Sequence, residues 1–198
     1  MCMVIRCFYY KLKIKLSKIS QPLIDLLQEE IRSGPLINVD ETPYQVLNEP
    51  GRRNTSKSYM WVFKGGQENS PALLYQYHRT RSGEAALNFL GDYQGYVQSD
   101  AFSGYECLAK KKSIIQLDCW AHARRYFIDV IKAKKKNRSK RVQPKSLADE
   151  ALEFIGALYQ IEKEAMIKNL EPQEIYQLRQ EKTKPVLNAF KIWLTAKQ

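Results

Sequence analysis

The sequence predicts an α/β protein: a mixed five-stranded sheet flanked by helices, followed by an all-helical segment. Three observations carry this reading. Three strand-like runs separated by turn residues occupy the stretch from Leu36 to Tyr77, the pattern of an antiparallel meander. From Ser82 to Lys136 the pattern changes to helix, strand, helix, strand, helix, and strands entered through helical crossovers run parallel to their neighbours. Beyond Ser146 only helical periodicity is found.

Residues 1–19 read as an atypical leader, in which Lys11–Leu16 alternates basic and apolar residues as a short strand or a frayed segment would. Gln21–Arg32 carries Leu23, Ile24, Leu26, Leu27 and Ile31 at helical spacing and is stopped by Ser33-Gly34-Pro35. The first strand is expected over Leu36–Asp40, with Pro43 arguing that pairing ends nearby. Ser58–Phe63 and Ala72–Tyr77 are the second and third strands, and Gly65-Gly66 with Asn69-Ser70-Pro71 mark the turn between them. Helices are expected over 82–90, 104–112 and 123–136, and short strands at Tyr96–Asp100 and Ser113–Leu117.

The polar, basic stretch 137–145, broken by Pro144, reads as a boundary. Three regions follow: the leader 1–19, a core 20–136 and a helical segment 137–198. In the last of these Ser146 with Asp149 signals a helix start, and Leu147, Ala151, Phe154, Ile155, Leu158 and Ile161 form its inner stripe. Further helices start at Glu171-Pro172 and at Pro185.

The net charge is +11, and its placement is more informative than its size. Between Lys110 and Lys145 there are 13 Lys and Arg against two acids, Asp118 and Asp129, a surplus equal to the whole net charge; the other residues carry 19 of each sign. One concentrated basic window suits a phosphate-bearing partner such as DNA, with Arg124, Arg125, Lys134, Lys135, Lys136 and Arg138 as the contacts. A solvated helical face with a basic loop has the same composition. Four cysteines without paired spacing read as reduced thiols, and no apolar run reaches the roughly 20 residues of a membrane span. An intracellular, cytoplasmic protein is expected.

Two of the predicted strands end in aspartate, Asp40 and Asp100. If those strands are parallel neighbours, both carboxylates emerge at one sheet edge, where ligands gather in such folds. Two adjacent carboxylates need a counter-charge, and Mg²⁺ is held by one or two carboxylates together with substrate phosphates. Asp118, at the end of the fifth strand, is a weaker third candidate, since a loop carboxylate paired with Arg124 or Arg125 explains it better. Cys119-x-x-His122 offers too few ligands for zinc. Trp120 and His122 suit structural or substrate-guiding roles.

Val39-Asp-Glu-Thr-Pro43, Gln45-Val-Leu47, Glu49-Pro-Gly51, Tyr59-Met-Trp-Val-Phe63, Gln98-Ser-Asp100, Gly104-Tyr105 and Cys119-Trp-Ala-His-Ala-Arg-Arg125 together resemble the central domain of the insertion sequence 66 family of bacterial transposases. The likeness covers roughly residues 20–195. It implies a ribonuclease-H-like fold with a DDE active site that cuts and joins DNA ends with Mg²⁺ (or Mn²⁺), Asp40 and Asp100 being the first two catalytic, metal-binding aspartates. The implied partners are insertion-sequence ends, target DNA and other transposase subunits, in the bacterial cytoplasm at the nucleoid.

The family's third carboxylate resembles a glutamate in a later Asp-Asn-x-x-Glu-Arg segment, after a helical insertion, and no such segment occurs in this sequence. The expectation is therefore a truncated transposase piece, inactive alone, with 137–198 as part of the insertion. The alternative is a non-catalytic basic DNA-binding remnant or a partner of a full-length transposase.

Overall fold

The computed structural model describes residues 2–136 and 145–197, the side chains of 2–11 and 135–136 excepted. It divides into two compact units, Met1–Cys119 and Trp120–Gln198. This division falls ahead of the polar stretch 137–145, where composition suggested it.

The first unit opens with helix α1, Cys2–Ser33, which runs unbroken through Pro22. The expected leader is thus helical: residues 11–21 hold no glycine or proline and are rich in Lys and Leu, which favour helix. The apolar stripe is only partly used. Ile31 is fully buried and Ile24 packs against the core, while Leu23 and Leu26 are exposed.

Five strands follow: β1 (Leu36–Gln45), β2 (Lys57–Gln67), β3 (Ser70–His78), β4 (Gly95–Ser99) and β5 (Ile114–Asp118). They form one mixed sheet in the order β3-β2-β1-β4-β5. β1, β2 and β3 are antiparallel neighbours; β4 is parallel to β1, and β5 to β4. The crossovers contain α2 (Glu84–Leu90), then a 3₁₀ turn at Ser103–Tyr105 and a short α3 (Glu106–Ala109) in place of the single helix expected over 104–112. The α/β class and the mixed five-stranded sheet flanked by helices are as expected.

Two turn signals behave differently from expectation. Gly65-Gly66 lies inside β2, and the hairpin turns at Glu68-Asn69. The glycines let α1 come close: a Cβ at Gly65 would stand 2.4 Å from the Ile31 carbonyl oxygen, and Gly66 adopts φ +94°. Pro43 does not end β1, which stays paired with β2 as far as Gln45 opposite Lys57. Pairing with β4 stops at Asn38, so the far half of β1 has a free flank where a proline is tolerated.

One sheet face carries Ile37, Val39, Trp61, Phe63, Leu74 and Val97 into a core completed by α1, α2 and Tyr105. Phe63 stacks on Phe89 with ring centroids 3.7 Å apart, and Trp61 meets Tyr105 edge-on at 5.8 Å. The opposite face shows Leu36, Leu73, Tyr75, Tyr96 and Ile115, all exposed. The loop after β1 is tied down by Glu49, whose carboxylate accepts from Arg52 and Tyr77 and pairs with Arg79.

The second unit is all helical: α4 (Trp120–Lys136), α5 (Leu147–Ile167), α6 (Pro172–Leu178) and α7 (Lys184–Ala196). Ser146 and Asp149 form a reciprocal capping box at the start of α5. α5 buries Ala148, Ala151, Ile155, Leu158, Ile161 and Ala165, whereas Leu147, expected on the inner stripe, is half exposed at the first turn. Phe154 stacks on Phe190 of α7 at 5.0 Å. A π-helical turn, Arg179–Thr183, joins α6 to α7 without a break. Among the described residues no helix is long and apolar enough to cross a membrane.

Phe63→Ala removes the ring at the centre of the first core and is expected to cost about 3–5 kcal/mol, measurable by denaturant titration. In the second unit, hydrogen bonds from Lys168 and Lys182 hold the Glu164 carboxyl down at about 2, below its ordinary 4.5. A depressed folded value means that this contribution is present above about pH 4.5 and is lost as pH falls toward about 2. Glu164→Gln should flatten the fall in stability across that window, as read by melts at stepped pH.

Candidate active site

The register of the sheet places the two predicted aspartates together. β1 and β4 pair in parallel from Leu36 opposite Tyr96 to Asn38 opposite Gln98. Two residues further along each chain stand Asp40 and Asp100. The last paired residues are also joined through their side chains, Asn38 Nδ2 donating to Gln98 Oε1 at 2.7 Å. β5 adds a third level: Ser99 is the register partner of Asp118. The chain is held to β4 just past that point by the Cys119 amide on the Ser99 carbonyl, at 3.0 Å.

Asp40 is half-buried, and its Oδ1 accepts from the Glu41 amide at 2.8 Å. Asp100 is buried; its Oδ1 accepts from the Phe102 amide at 3.2 Å and its Oδ2 from Arg81 Nη2 at 3.4 Å. Asp118 is exposed and, with Ala101, Phe102, Ser103, Glu106 and Gln116, lines an open cleft of about 370 Å³ next to Asp100.

Three residues to which the sequence assigned no role are central here. Because side chains alternate along a strand, Glu41 shares the core-facing side of β1 with Ile37 and Val39, and its side chain is fully buried. One of its oxygens accepts from Arg81 Nε and the other from the buried Tyr105 hydroxyl. Arg81 comes from the segment between β3 and α2, with its guanidinium carbon 3.7 Å from the centroid of the Phe102 ring. Partial burial pulls the guanidinium down, but the bond and charge of Glu41 outweigh it and the net shift is upward. Burial pushes the Tyr105 phenol far up, and adjacent Glu41 adds to the shift, so the hydroxyl remains a proton donor. The signal for Glu41 was legible: a carboxylate one residue after Asp40 must point into the core once β1 continues. Arg81, in the polar run Thr80-Arg-Ser-Gly83, gave none.

The donor set suits a hard divalent cation, since two carboxylates stand at one edge and such ions take one or two protein carboxylates. Among the described residues no group of three or more His, Cys, Asp or Glu side chains is arranged to hold a metal ion.

The other expected site residues belong to the second unit. Trp120 opens α4, 42% exposed, with its ring 6.1 Å from that of Phe190. His122 is half-buried in the next positions of that turn. Arg124, Arg125 and Lys134 are exposed along α4. The side chains of Lys135 and Lys136, and Arg138 altogether, lie outside the described residues. Cys119 and Cys107 are free thiols.

Comparison with known proteins gives the chain its family. The model of the transposase IS66 family matches residues 10–198. The chain belongs to the IS66 transposase family. Two similar proteins, both from Sinorhizobium fredii, are the uncharacterized y4hP and y4jD. They are 28% and 32% identical over 88% and 86% of this chain, but the match takes in only 33% of each relative. The IS66 chain thus spans about a third of the length of the curated relatives it matches. A simian T-cell lymphotropic virus intasome bound to a phosphatase regulatory subunit is similar in structure at a TM-score of 0.32 and 9% identity, over 56% of this chain and 44% of that one.

Tyr105→Phe in this IS66 chain leaves a buried carboxylate oxygen without its donor. It is expected to cost about 1–3 kcal/mol, seen as a lower denaturation midpoint.

Proposed function

We propose that this chain carries the two-aspartate part of a DDE-type transposase site, in which Asp40 and Asp100 hold a divalent cation for phosphoryl transfer on DNA. The observation that supports this most is the parallel register that brings both carboxylates to one sheet edge, together with membership of the transposase family. Bound there, Mg²⁺ or Mn²⁺ would polarise a phosphate oxygen and offset charge on the attacking and leaving oxygens. The chain's own contribution is to fix the carboxylates: Asp40 through the β1 backbone, and Asp100 through the Phe102 amide. Complete strand transfer would require a third carboxylate beside Asp40 and Asp100.

DNA is the substrate in this reading, and other transposase subunits are its partners. The concentrated basic window supplies the affinity, through Arg124, Arg125 and Lys134–Lys136 with Arg138 as phosphate contacts. This occupies the compartment where bacterial DNA lies, the cytoplasm. The window would serve equally in a non-catalytic DNA-binding remnant.

Mn²⁺ binding followed by electron paramagnetic resonance tests the site. Asp40→Asn and Asp100→Asn are each expected to weaken it at least about tenfold; unchanged binding in both would sink the assignment. Nicking of terminal-repeat DNA by this chain alone, abolished by Asp40→Ala, would place the missing carboxylate within it. For the basic window, duplex affinity should fall steeply with salt. Neutralising Lys134, Lys135, Lys136 and Arg138 should reduce the log–log slope by about 0.9 for each DNA phosphate that is no longer neutralised, while Asp40→Ala leaves it unchanged.

A further inference from the structure

We infer that Arg81 is a phosphate-contacting residue of the two-aspartate site, anchored by Glu41 and Tyr105 and yielding its hold on Asp100 to a bound divalent cation. The inference rests on the reading of Asp40 and Asp100 as metal ligands and adds a substrate contact to it.

The two ends of the Arg81 guanidinium are held very differently. Nε meets a carboxylate whose side chain is fully buried and whose second oxygen is taken by the Tyr105 hydroxyl. Breaking that contact would leave an uncompensated buried charge, which is costly. Nη2 reaches Asp100 at 3.4 Å, beyond the usual range of about 2.7–3.2 Å for such a bond. Glu41 is therefore the anchor, and Asp100 the contact that can be exchanged.

Charge balance points the same way. Glu41 and Asp100 bring two negative charges against the single positive charge of Arg81, the cation that reaches both. Pairing Arg81 with Glu41 leaves the Asp100 charge to be met by a cation from outside. With Asp100 engaged by a bound cation, the Nη edge of Arg81 would be without its acceptor but would keep its anchor. It would then present N–H donors in the fork geometry that suits a phosphate. The side chain retains 36% exposure, and the Phe102 ring lies against the guanidinium, a contact that restrains its plane. A phosphate oxygen bound between cation and arginine would be held from two sides.

The test uses the full chain, Mn²⁺, and the dinucleotide thymidylyl-thymidine as the phosphodiester probe. Mn²⁺ affinity is read by electron paramagnetic resonance, and probe binding by broadening of its ³¹P resonance by site-bound Mn²⁺. In Arg81→Gln, Mn²⁺ affinity is expected to stay within about twofold of the parent or tighten, while probe affinity falls about tenfold. Arg81→Lys keeps a charge opposite Glu41 in case the glutamine variant does not fold. It should bind Mn²⁺ normally and recover only part of the probe affinity. Unchanged probe binding in both variants overturns the inference. So does a loss of Mn²⁺ in Arg81→Lys as large as in Asp100→Asn, which would make Arg81 a structural support only. If the parent chain holds no Mn²⁺ that Asp40→Asn and Asp100→Asn remove, the two-aspartate reading fails and this inference fails with it, an outcome distinct from the other two.

Discussion

The parallel pairing of β1 with β4 is the constraint on which the rest depends. A parallel pair requires a crossover, and the crossover here contains β2, β3 and α2 between the two strands. It therefore brings together aspartates separated by about half of the first unit's chain. Only three residue pairs make up the ladder, so its stability comes from what is stacked around it. Ile37 and Val97 lie in the core on one face, and the Asn38–Gln98 bond joins the strands on the other.

Below that ladder lies a second, polar arrangement which is unusual in being so deeply set. Glu41 is placed by alternation on the apolar side, where an ionised carboxylate is tolerated only with partners. Arg81 and Tyr105 provide them from two separate connecting segments. The same three residues therefore tie the β3–α2 connection and the β4–β5 crossover to the middle of β1. A buried polar cluster of this sort links packing directly to the geometry of the edge, because Arg81 touches both Glu41 and Asp100.

Much of this was legible in the sequence. Alternating apolar residues and turn signals gave five strands near their observed places, but Asp40 lies in the middle of β1 and Asp100 just past β4, so the two meet through the parallel register and not as two strand ends. Helix termini were readable where side chains make them, as at Ser146 with Asp149 and at Glu171 with Pro172. Extents were less so. Pro43 and Gly65-Gly66 are breakers by local chemistry, yet both lie within strands because a free flank and a close helix suit them. The leader departs from expectation because a basic–apolar alternation in residues 11–16 resembles a strand, while propensity and not burial decides its helix. Arg81 was invisible because its role is set by contacts distant in sequence. Tyr105 was visible as part of the Gly104-Tyr105 motif, but its bond to Glu41 was not, for the same reason.

The unequal lengths of β1 and β4 have a mechanical consequence. β1 continues past Asp40 as one arm of an antiparallel ribbon with β2, whereas β4 stops at Ser99 and Asp100 already belongs to the connection that follows. One carboxylate is thus carried within a paired strand and the other on the first residue of a connection, held there by the Phe102 amide and Arg81. The setting of Asp40 therefore follows from the ladder, and that of Asp100 from a turn amide and a side chain drawn from another connection.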